Sequence, residues 1–182
     1  MSLIYKMGFE NIMQLIKMII FMIKYRYLLF KVKRNGEYLN KIKYDDWTFD
    51  ICLTAVSQNG LMIEAITAQK YKFTDVEYEK LCIAAIRQNA HAFKYIIIPS
   101  EQVCIEAIAK NEAIYYLYPH QHKHFNYYVQ LYILQNTHCT VTLNLDENKL
   151  INCDDVIKLF LIAPKRHIII KKGNITTDIE IH

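Results

Sequence analysis

Residues 52–66 read CLTAVSQNGLMIEAI, and the string returns twice: residues 82–96 give CIAAIRQNAHAFKYI and residues 104–117 give CIEAIAKNEAIYYL. The shared pattern is Cys, then Leu or Ile, any residue, Ala, Val or Ile, any residue, Gln or Lys, and Asn. Cys52, Ala55 and Val56 stand at i, i+3 and i+4, as do Cys82, Ala85 and Ile86, and Cys104, Ala107 and Ile108. That spacing is one face of a helix. Behind Asn59, Asn89 and Asn111 comes a second apolar set: Met62, Ile63 and Ile66; Ala92, Phe93 and Ile96; Ile114, Tyr115 and Tyr118. Each copy therefore predicts two helices with a tight turn at the Asn. Asn suits that corner because it tolerates a left-handed backbone at the end of one helix and can cap the next.

Entry signals agree with this reading. Thr74 and Glu77 have the spacing of a capping box, and Pro99-Ser100-Glu101 sets a cap and an acid before the helix of Cys104. The longer interval between the first two copies holds TAQKYKFTDVEYEK, which predicts a longer loop and an extended helix start.

Weaker copies flank the three. Upstream, Leu28, Val32 and Asn35 match, with Tyr38, Leu39 and Ile42 behind them; downstream, Val129, Ile133, Gln135 and Asn136 match. A degenerate copy starts near Asn152, with Ile157, Phe160, Leu161 and Pro164. The expected fold is all-α, a short α-solenoid of about six stacked helical hairpins, since a single hairpin cannot bury its own apolar face.

The chain has 182 residues, 53% of them apolar, with four Gly and three Pro, so a single domain spanning 1–182 is expected. Within it, residues 1–44 form a basic apolar helix and the first weak repeat, 45–136 the clear repeats, and 137–182 degenerate repeats and a tail. Formal charge runs +7 over residues 1–44, −5 over 45–160 and +2 over 161–182. Five cysteines and no secretory cleavage pattern point to reduced thiols and an intracellular, non-secreted protein.

Residues 9–30, FENIMQLIKMIIFMIKYRYLLF, have the length of a membrane span. Glu10, Lys17, Lys24 and Lys31 recur every seven residues, forming one polar stripe with Gln14 beside it. Burying a lysine at mid-membrane costs about 2.5–3.5 kcal/mol, whereas each apolar residue returns only about 0.3–0.6. A largely buried helix, in the core or an oligomer interface, is expected, with attachment to a membrane surface as the alternative.

In the carboxyl-terminal quarter two signals conflict. Residues 140–145 alternate polar residues with Val141, Leu143 and Leu145, and Ile175, Thr177, Ile179 and Ile181 alternate likewise behind Gly173-Asn174. Repeat register predicts helix over 165–172 with Gly173 as its stop, followed by an extended tail; local propensity predicts a β-hairpin instead.

Reactive chemistry is thinly represented. Cys52, Cys82 and Cys104 lack zinc-type Cys-x-x-Cys spacing and hold equivalent positions, which makes them core fillers. His120, His122 and His124 alternate after Pro119 and are the weak candidates for a transition-metal site, with His138 or Cys139 as further donors. Asp45-Asp46 and Asp154-Asp155 read as helix-start acids. No phosphate loop, nucleophile elbow or paired-His motif is present, so no catalytic residue and no cofactor are expected. Tyr115, Tyr116, Tyr118, Tyr127, Tyr128 and Tyr132, with Lys31, Lys33, Arg34, Lys41 and Lys43, would suit RNA, but the acidic middle opposes it.

From Asp50-Ile51-Cys52-Leu53 through Asn59-Gly60 the chain resembles a short ICLxAVxQNG repeat of unknown function found in giant DNA viruses of the Mimivirus kind. The likeness covers residues 47–117 well and the flanks loosely, and Ala90 and Glu112 replace Gly60. It implies stacked helical hairpins and a virus-encoded protein of the host cytoplasm or virion, and carries no activity. The expected function is a non-enzymatic protein–protein interaction module, its specificity at outward positions such as Leu53, Ser57 and Glu64.

Overall fold

The computed structural model describes residues 2–118, the single positions 129, 132, 133 and 136, and the segments 141–145, 167–172 and 175–180. The described residues are mostly helical. It divides into two compact units, Met1–Gln88 and Asn89–His182.

In the first unit α1 (Ser2–Arg34) is followed by a 3₁₀ helix (Gly36–Lys41), α2 (Phe49–Gln58), a 3₁₀ turn (Gly60–Met62) running into α3 (Ile63–Thr67), and α4 (Asp75–Gln88). Helix α2 packs against α1 and α4. Its start is set by Thr48, whose Oγ1 accepts from Ile51 N at 3.3 Å, with Asp50 in the first turn. The Thr74–Glu77 box forms as read: Glu77 Oε2 accepts from Thr74 N at 3.0 Å, and Thr74 Oγ1 from Glu77 N at 3.3 Å. The Thr74 backbone N–H first, and then its hydroxyl, which donates to the same Oε2 at 2.9 Å, hold the Glu77 carboxyl below the usual carboxylate range. The long interval before Cys82 contains a 3₁₀ helix, Lys70–Lys72, and the 14-residue α4, against ten residues for α2.

Burial follows sequence register. Ile51, Cys52, Ala55, Val56 and Gly60 are buried, and so are Leu81, Cys82, Ala85, Ile86 and Ala90, the same places thirty residues on. In the second unit, which holds α5 (Glu101–Lys110) and α6 (Ile114–Leu117), Val103, Cys104, Ala107 and Ile108 repeat the pattern. Val32, Leu39 and Ile42 are buried upstream, as are Val129 and Ile133 downstream. The copy near Asn152 lies outside the described residues.

Four expectations need correction. The Asn corners are not left-handed: Asn35, Asn59, Asn89 and Asn111 have φ of −149°, −140°, −145° and −158°, with ψ between 101° and 112°. All four are caps in extended backbone. Their side-chain oxygens accept from the N–H two residues on, at Glu37, Leu61, His91 and Ala113, over 2.9–3.1 Å. An N-cap needs that extended geometry, which the left-handed basin would destroy.

The second helix of each hairpin is also shorter than expected. Gly36–Lys41 and Ala90–Tyr95 are 3₁₀ helices, and Gly60–Met62 only one such turn before the five-residue α3. Five or six residues cannot offset helix nucleation alone, so cap and packing hold a tight turn.

Helix α1 is not buried along most of its length. Residues 9–24 are exposed on every side, and burial begins at Tyr25, Leu28 and Val32. Thirty-three residues make a rod of about 50 Å, whereas α2 spans about 15 Å, so α1 outruns its partner. At the docked end Lys24 Nζ meets Asp46 Oδ1 at 2.6 Å and Tyr25 OH donates to Asp50 Oδ2 at 2.8 Å. No helix among the described residues is long and apolar enough to cross a membrane.

Finally, within the stretch 165–172 expected to be helical, residues 167–172 form a strand. Strands β1 (Val141–Leu145), β2 (His167–Lys172) and β3 (Ile175–Glu180) form one sheet in the order β1-β2-β3. β2 and β3 are antiparallel, with Lys172 opposite Ile175, and β1 and β2 are parallel, with Val141 opposite Ile168. Three consecutive β-branched residues, Ile168 to Ile170, lose side-chain freedom in a helix and fit a strand. Local propensity outweighed repeat register.

Candidate functional site

Cys52, Cys82 and Cys104 are free and buried. Burial pushes each thiol up to about 12, outweighing the lowering by Lys72 at Cys52 and by the Tyr78 hydroxyl at Cys82. Such groups are protonated and inaccessible at neutral pH, so they are neither nucleophiles nor ready metal ligands.

His120, His122 and His124 lie outside the described residues, as do His138, Cys139 and the pair at 154–155. Among the described residues no group of three His, Cys, Asp or Glu side chains could hold a metal ion. Asp46, of the Asp45-Asp46 pair, is engaged by Lys24. Of the tyrosines, Tyr115 is buried while Tyr116 is exposed, and the Tyr118 hydroxyl bonds His91 Nδ1 at 2.8 Å.

A bond that sequence reasoning missed shapes the surface of the first unit. Gly36 N donates to Gln58 Oε1 at 2.7 Å, and Gly60 N donates to Gln88 Oε1 at 2.7 Å. In both cases the corner of one hairpin is clamped by the last residue of the next long helix. Neither glycine could carry a side chain in place. A Cβ on Gly36 would lie 2.7 Å from the Ala55 carbonyl oxygen, and one on Gly60 would meet that of Ala85 closer still. The readable signal was a Gln before Asn59 and Asn89, each answering a Gly one copy earlier. Where Ala90 replaces that glycine, the answering position is Lys110, which has no acceptor.

Beside this clamp lies the candidate site, an open groove of about 680 Å³ between α2 and α4. From α2 it takes Phe49, Leu53 and Ser57, spaced i, i+4, i+8 along one ridge; from α4 it takes Lys80, Ile83, Ala84, Arg87 and Gln88. Phe49, Leu53, Ile83 and Ala84, all half-buried, make an apolar floor. Lys80 and Arg87 are two cations on the α4 wall, and Ser57 and Gln88 add polar groups at one end. Because Gln88 spends its oxygen on Gly60, its amide N–H₂ is the part that can donate to a visitor. The lining holds no carboxylate, imidazole or thiol. What it does offer is an apolar floor with two cations and polar groups beside it, the equipment for holding a ligand.

Two of the three outward positions named from the sequence, Leu53 and Ser57, line this groove; Glu64 is exposed but is not among the lining residues. The equivalents of Leu53 and Ser57 one copy on are Ile83 and Arg87, which line it too.

Comparison with known protein families, curated proteins and solved structures finds no match.

Proposed function

We propose that this chain is a non-enzymatic protein–protein interaction module of stacked helical hairpins, and that the α2–α4 groove takes a segment of another protein. One observation carries the reading. The groove is lined by Ser57 and Arg87, equivalent positions at which the copies differ, beside Leu53 and Ile83, an outward position that stays aliphatic, while the matching residues Cys52, Ala55, Val56, Cys82, Ala85 and Ile86 are spent on packing. Constant packing with variable outward residues is how repeat scaffolds separate stability from recognition. The occupant we favour carries one aliphatic or aromatic side chain for the floor, flanked by acids that meet Lys80 and Arg87. The likeness to giant-virus repeats supports a virus-encoded scaffold whose partner is a host or virion protein.

The test is affinity capture from native cells with the full chain, its Leu53→Asp and Arg87→Glu variants, and nuclease and detergent controls. Loss of the same proteins from both variants supports the reading. Capture that survives both changes, or depends on intact nucleic acid, would sink it.

A further inference from the structure

We infer that α1 lies in the surface of an anionic lipid bilayer, its apolar side in the lipid and the rest of the first unit on the water side.

Thirteen large apolar side chains between Phe9 and Phe30 are exposed, Ile23 at 65% and Ile12 at 57% among them. At about half exposure each, they leave on the order of 1,000 Å² of apolar surface, above the roughly 300–600 Å² of the largest patch on an ordinary monomer. Something covers it.

Helical geometry shows from which side. At about 100° per residue, Glu10, Gln14, Lys17, Lys24 and Lys31 fall within an arc of about 100°. Lys24 belongs to the side that meets Asp46, with Tyr25 beside it on Asp50. Body and polar stripe thus share one side of α1. Ile12, Leu15, Ile16, Ile19, Ile23 and Phe30 project from the other, and all six are exposed.

Charge identifies the occupant. Residues 1–34 hold seven Lys or Arg against the single acid Glu10. After the uncharged run ending at Ile23, Arg26, Lys33 and Arg34 come round to the apolar side, all exposed. A second copy of α1 would set like charges against each other there, and a helix–helix seam would leave much of the apolar arc wet. Anionic lipid accepts both features: the apolar arc sinks to the acyl boundary, and the three cations reach headgroup phosphates.

The experiment is co-sedimentation of the full chain with vesicles of phosphatidylcholine alone or enriched in phosphatidylserine, at low and high salt. We expect strong binding to the phosphatidylserine vesicles, weakened by salt. It should fall about tenfold in Ile16→Asp/Ile23→Asp and become salt-insensitive in Arg26→Gln/Lys33→Gln/Arg34→Gln. Circular dichroism checks that these exposed changes leave the fold intact, and Leu53→Asp serves as a groove variant that should still bind lipid. Absence of vesicle binding, or binding unaltered by Ile16→Asp/Ile23→Asp, overturns the proposal. So does a concentration-dependent oligomer that the same double variant dissolves, which would assign the face to a second copy.

Discussion

The N–H of Gly60 reaches the side-chain oxygen of Gln88 at 2.7 Å, across 28 residues of chain, and Gly36 reaches Gln58 at the same distance across 22. Both glycines are buried, so each bond satisfies a donor that water cannot serve. Replacing Gln88 by Leu should cost about 1–2 kcal/mol in urea unfolding, while Gln88→Glu, which keeps an acceptor, should cost less. Equal losses in the two variants would mean that the side chain packs and does not clamp.

The same contact sets the glycine requirement. A methyl group at Gly60 would sit inside the van der Waals envelope of the Ala85 carbonyl, which is backbone and cannot swing aside. Gly60→Ala should therefore destabilise by about 1–3 kcal/mol, as overpacking does. The ordinary Gly→Ala change lowers unfolded-state entropy and stabilises by about 0.4–1 kcal/mol where the backbone permits. The sign of the change in urea midpoint decides between them.

The buried thiols predict a pH response. Their folded-state values, up to about 12, lie above the ordinary thiol value, so the unfolded chain gives up protons first as pH rises. Their contribution to stability is thus complete below about pH 9 and is lost on climbing towards 12. Tyr78, whose hydroxyl burial also raises, acts in the same direction. In a Cys139→Ser/Cys153→Ser background, Cys52, Cys82 and Cys104 should react with a thiol reagent at pH 8 only as fast as the protein unfolds. Rapid labelling of any of the three would contradict their burial.

What could be read from the chain beforehand follows the range of the interaction concerned. The Cys-x-x-Ala-Val/Ile spacing is local, and it identified Cys52, Ala55 and Val56, and their counterparts, as buried. Helix starts at Thr48, Thr74 and Ser100 were legible for the same reason. The exposure of α1 was not: apolar periodicity states that a face wants cover and is silent on whether 33 residues find it within their own unit. The Gln–Gly clamp and the groove join residues 22 to 39 positions apart, beyond any window of helical periodicity. At 165–172 the error was one of precedence, an inferred register having been placed above the β-branched run Ile168 to Ile170.

The Asn corner offers the sharpest discrimination, because two readings order the same substitutions differently. If Asn89 were left-handed, Gly would be its best replacement and Asp would gain nothing. In the structure its φ is −145° and its side-chain oxygen accepts from His91 N at 3.0 Å. A carboxylate can accept that bond, and its cap partner is a backbone N–H at a helix start, where negative charge is favourable. Asn89→Asp should therefore match the parent, Asn89→Ala should lose about 1 kcal/mol, and Asn89→Gly should fall below Asp by a few tenths. Thermal or urea unfolding of the three variants gives the order directly, and Gly ranking above Asp would return the corner to the left-handed basin.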